Sequence, residues 1–175
     1  MKKITFLAIL LATFSLNSQV LYEDFEGTAF GTNFPGGWST VLAQGSSGDW
    51  VIGDTANTGV PLYGGDTGMI NGGCENKYAL LDSDGLGGSF SQDTALTSPT
   101  MDLSGYTALT LKFNHHFRLY QSETGYVEGS TDGGINWIEL ANYGPLNLVA
   151  GNSVDGSTSI DISTTLAGNS QVQVR

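Results

Sequence analysis

Two aspartates one residue apart are the first groups in this chain that could do chemistry. In ALLDSDGLGG, residues 79 to 88, Asp82 and Asp84 alternate and Gly85 follows at once. Carboxylates two apart can face one cation when the chain turns at a glycine, and hard oxygen donors suit calcium. The later ligands and the closing bidentate glutamate of an EF-hand loop are missing, so this is not that loop. The same residues also read as a plain turn whose aspartates bond backbone amides.

Other chemistry has less to stand on. His115 and His116 are adjacent in a stretch that reads as a strand, so their side chains point to opposite faces and do not share a metal. His115 falls on the apolar face, as a core histidine with its polar atoms satisfied. There is no G-x-S-x-G nucleophile elbow for a serine hydrolase. Seventeen acidic residues are present, yet no spacing selects a glycosidase pair. The single cysteine, Cys74, has no Cys or His at zinc spacing and no second cysteine with which to close an internal disulfide. The expectation is a chain without a catalytic residue.

The segment STDGGINW, residues 130 to 137, fits the Asp-box pattern S-x-D-x-G-x-x-W. Asp132 is expected to cap a tight turn, Gly133 and Gly134 to supply positive φ, and Trp137 to pack across a hairpin. A sialidase propeller repeats this box every few dozen residues. Here it occurs once, so it reads as a folding device in another β fold.

Length and composition set the frame. The chain has 175 residues, enough for one domain with a core. Residues 1–18 form a secretory signal peptide: Lys2 and Lys3, an apolar run from Ile4 to Phe14 too short to span a bilayer, then small and polar residues. The mature chain is then 19–175, and no other stretch is apolar enough for a transmembrane span. Loss of the two lysines takes the net charge from −11 to −13. That argues against nucleic acid and anionic lipid as partners and favours cations. Acidity would equally serve to keep an exported protein in solution.

Twenty-five glycines, few prolines and no helical periodicity give an all-β profile. The clearest strand is Thr107 to Tyr120, with Leu109, Leu111, Phe113, His115, Phe117 and Leu119 on one face. Gly125–Ser130 and Ile135–Leu140 read as the two arms of the Asp-box hairpin. Val20–Phe25 and Lys77–Leu81 read as further strands, and residues 44–76 as a loop-rich segment. Asp-apolar-Ser occurs twice, in MDLSG from residue 101 and IDIST from residue 160, as a bend fixed by side-chain bonds to amides. The alternating QVQVR run stops at Arg175, so one or more closing strands are expected to be missing.

Taken in order, LYEDFEG from residue 21, FPGGW from residue 34, ALLDSDGLGG, the run from Ala95 to Arg118, and GYVEGSTDGGINW from residue 125 resemble the secreted MAM-like or cleaved-adhesin (choice-of-anchor J) modules of Bacteroidetes surface proteins. The resemblance spans nearly the whole mature chain. It implies a two-sheet antiparallel β-sandwich, a jelly roll of the concanavalin/MAM-like kind. It implies a non-catalytic adhesion or recognition module stabilised by calcium within a larger exported or cell-surface polypeptide. Glu26 would join Asp82 and Asp84 at the metal, with Asp24, Asp49 and Asp54 as further donors. The partner would be an extracellular protein or a glycan. A different reading is a carbohydrate-binding accessory module of a secreted peptidase or glycosidase whose catalytic domain lies beyond residue 175. Trp38, Trp50, Tyr63, Tyr120 and Tyr143 could stack on a sugar, with Trp50 and Tyr63 in the loop-rich segment best placed.

Overall fold

The computed structural model describes residues 19–28, 33–54, 77–82, 91–119, 123–144 and 152–175. Nine strands and one helical turn are present among them. They run β1 (Ser39–Leu42), β2 (Val51–Asp54), β3 (Lys77–Leu80), β4 (Thr94–Thr97), β5 (Thr110–Leu119), β6 (Tyr126–Ser130), β7 (Ile138–Asn142), β8 (Asn152–Asp161), α1 (Ser163–Leu166) and β9 (Gln173–Val174). The pairings are antiparallel throughout. The architecture is the all-β sandwich that the composition and the resemblance lead one to expect.

β9 sits at the middle of one sheet. It pairs with β6, which pairs with β7. On its other side, Val174 accepts from the Ser98 amide at 2.8 Å, and Met101 and Val172 exchange bonds at 2.7 and 2.9 Å. Ser98 directly follows β4, which pairs with β1. The hydrogen-bonded order is therefore β1, β4 with its extension to Met101, β9, β6, β7. The QVQVR run bonds the 98–101 stretch through Val172 and Val174, and β6 through Gln173, Val174 and Arg175. Ser98 reinforces this join. Its buried hydroxyl accepts from the Val174 amide at 3.0 Å and donates to the Pro99 carbonyl at 3.0 Å. Ser98→Ala should cost about 1–3 kcal/mol by stranding a buried amide, read from the urea midpoint.

β5 and β8 form the longest ladder, from Thr110↔Asp161 to Leu119↔Asn152. The alternation expected of β5 is present: Leu111 and Phe113 are half-buried, while Lys112 and Asn114 are exposed. β2 and β3 make a short pair in register Gly53↔Tyr78. The buried cluster is Leu103, Ile162, Leu166, Val172 and Val174. Two of its members come from the twin Asp-apolar-Ser bends. Asp102 accepts from the Ser104 amide at 3.0 Å and Asp161 from the Ser163 amide at 2.9 Å. Each bend thereby turns the intervening Leu103 or Ile162 inward. Bonds from Ser104 and Ser163 also hold both carboxyls below the usual range.

Three expectations are corrected. Val20–Phe25 is not a strand: the Glu23 and Asp24 side chains bond the amides of Phe25 and Glu26, and Phe25 takes φ 61. Local acceptors have captured amides that a ladder would need. The chain does contain a helical turn, α1, which drives Leu166 into the core. The second hairpin arm begins at Ile138, because the Asp-box turn consumes Ile135 and Asn136.

Candidate functional site

The Asp-box turn is a densely bonded polar cluster. It links β6 to β7, and its side chains behave as their types require. Asp132 Oδ1 accepts from the amides of Ile135 and Asn136 at 3.0 and 2.9 Å, and Oδ2 accepts from Asn136 Nδ2 at 2.7 Å. Ser130 Oγ donates to Asp132 Oδ1 at 2.8 Å and receives the Gly134 amide at 2.9 Å. Gly133 and Gly134 lie at φ 74 and 88, and a Cβ on Gly134 would stand 2.7 Å from Gln173 Oε1. Trp137 Nε1 donates to the Gly134 carbonyl at 3.0 Å.

One group in this cluster has no sequence signal. Arg175 lies 4.2 Å over the Trp137 ring and its Nε donates to Glu128 Oε2 at 2.6 Å. A cation over an indole face adds attraction to the ion pair. Glu128 and Arg175 are 47 residues apart, so only the β6–β9 pairing brings them together. The Ser130, Asp132, Asn136 and Trp137 side chains are thus all engaged in holding the hairpin.

The bonds to Asp132 depress its carboxyl to about 2, chiefly through the Asn136 amide and side chain. A depressed folded value stabilises the fold above the unfolded value of about 3.9, and the gain is lost as pH falls through the folded value. Asp132→Ala should therefore melt at lower temperature than the parent near neutrality. The gap should close between about pH 4 and pH 2. A gap independent of pH would show that the charged form is not what the turn needs.

The proposed metal donors lie elsewhere. Glu26 Oε1 accepts the Lys77 amide at 3.0 Å, and the Lys77 ammonium donates to the Thr28 carbonyl. Glu26 thus anchors the N-terminal segment to the start of β3. Asp24 Oδ1 takes the Glu26 amide at 3.1 Å. Asp82 stands past the far end of β3, with roughly 10 Å of strand between. Asp84 lies outside the described residues. Among the described residues no group of three or more His, Cys, Asp or Glu side chains is assembled.

Asp49 is a clamp. Its Oδ2 accepts from Thr40 on β1 at 2.5 Å, and its Oδ1 accepts from Thr94 on β4 at 2.7 Å and from the Trp50 amide at 2.8 Å. Burial pushes its carboxyl up, but these bonds together outweigh it and leave it lowered. Asp54 closes β2, opposite Lys77 in register.

The aromatic candidates are partly in view. Trp50 is half-buried, with its indole nitrogen enclosed and unbonded among the described residues. Tyr63, Tyr120 and Cys74 lie outside the described residues. Trp38 packs edge-on against Phe25 at 5.8 Å, and Phe25 against Phe34 at 5.9 Å. This cluster joins the LYEDFEG and FPGGW stretches. Tyr143 packs against His115 at 5.2 Å and meets the Thr158 hydroxyl at 2.8 Å. His115 Nδ1 is 3.4 Å from the same hydroxyl. Tyr143 and His115 are thus part of the packing between β5, β8 and the end of β7.

This arrangement defines an all-β antiparallel sandwich. The chain is similar in fold to the K1 cleaved adhesin domain of Lys-gingipain from Porphyromonas gingivalis W83, with a TM-score of 0.55, 24% identity, and 81% of each chain covered. No family model matches the chain. No curated protein matches it either. Among the described residues, no helix is long and apolar enough to cross a membrane.

Proposed function

We propose that this chain is a non-catalytic adhesion or recognition module of a larger exported or cell-surface protein, delivered by the signal peptide of residues 1–18. The observation that carries the reading is the likeness in fold to a cleaved adhesin domain across 81% of the chain. The polar groups of the best-formed cluster support it, since they are spent on the hairpin itself. The partner is an extracellular protein or glycan. The test is to present the purified chain to immobilised host-type matrix proteins and to a glycan panel, with release of cleaved peptide or sugar followed in parallel. Saturable binding without turnover is expected. Turnover of any bound substrate overturns the reading. Binding confined to soluble glycans, and weakened by Trp50→Ala, favours the accessory carbohydrate-binding module instead.

Calcium belongs to the same proposal, as a structural ion. A net charge of −11 and the Asp82–Asp84 pair before Gly85 support it. Glu26 and Asp24 are the further donors. A ligand that binds only the native state raises its stability, by about 2.7 kcal/mol at a hundred times Kd. The melting temperature should therefore climb from micromolar to millimolar calcium, and Asp82→Asn should blunt the climb. An unchanged melt across that range sinks the calcium part alone.

A further inference from the structure

We draw no further inference here: the strongest candidate, the apolar flank of the β6–β7 hairpin where Tyr126, Ile135 and Ile138 stand exposed, carries nothing because nothing in the structure shows what covers it.

Discussion

Leu166→Ala is expected to destabilise the protein by about 2–5 kcal/mol, the range for emptying a fully buried leucine site. Leu166 has no exposed surface and lies in the cluster with Leu103, Ile162, Val172 and Val174. It is the residue through which the single helical turn meets the sheet. Its methyls press on Gly129 of β6: a Cβ there would stand 2.8 and 3.0 Å from the two Leu166 methyls and 3.1 Å from Leu140 Cδ1. Gly129→Ala alone should therefore cost about 1–3 kcal/mol by overpacking. The two changes should not add, because the space that Leu166→Ala opens is the space the new methyl needs. A urea-unfolding cycle of the two single variants and the double variant measures this. Strict additivity would show that Gly129 and Leu166 do not share the contact.

Gly53→Ala, at the one glycine of β2, should be strongly damaging. A Cβ at residue 53 would stand 2.4 Å from Tyr78 Cε2 and 2.8 Å from Cζ. The tyrosine is the register partner of Gly53 and is only 7% exposed, so its rigid ring has little room to leave. A cost of about 1–3 kcal/mol or more is expected from strain of this kind. Tyr78→Phe should give no relief, because the ring edge stays where it is. Tyr78→Leu in the Gly53→Ala background should restore part of the loss. Thermal melts of the series decide it, and equal damage in all three backgrounds would mean that the clash is not the cause.

What could be read from the chain follows from what each residue type reveals on its own. β5 was legible because its apolar residues recur at period two over a long run. The hairpin was legible because S-x-D-x-G-x-x-W specifies its bonds locally, and the structure places Ser130, Asp132, Gly134 and Trp137 in those bonds. β8 was not legible. Its inward positions opposite His115, Phe113 and Leu111 are Gly156, Thr158 and Ile160, and just one of them is apolar. It is a strand because β5 offers it a full ladder, a case of partner outweighing propensity. A carboxylate's role is the least legible feature of the sequence. Asp24, Asp102, Asp132 and Asp161 each accept a backbone amide two to four residues ahead. In a sequence, a carboxylate that serves its own turn looks the same as one that waits for a cation.

The place of β9 bears on the order in which this protein can be made. The sheet's central strand is supplied by residues 172–175, and its partners on either side are Ser98–Met101 and the end of β6. Ser98 and Val174 are 76 residues apart. Until residues 172–175 are synthesised, β1 with β4 and β6 with β7 are two separate two-stranded pieces with no strand between them. Closing such distant pairings entails loop entropy that local contacts do not repay in advance, which places the fold among the slow, milliseconds-to-seconds class. The centre of the sheet therefore cannot form until residues 172–175 have been made, however early its flanking strands leave the ribosome.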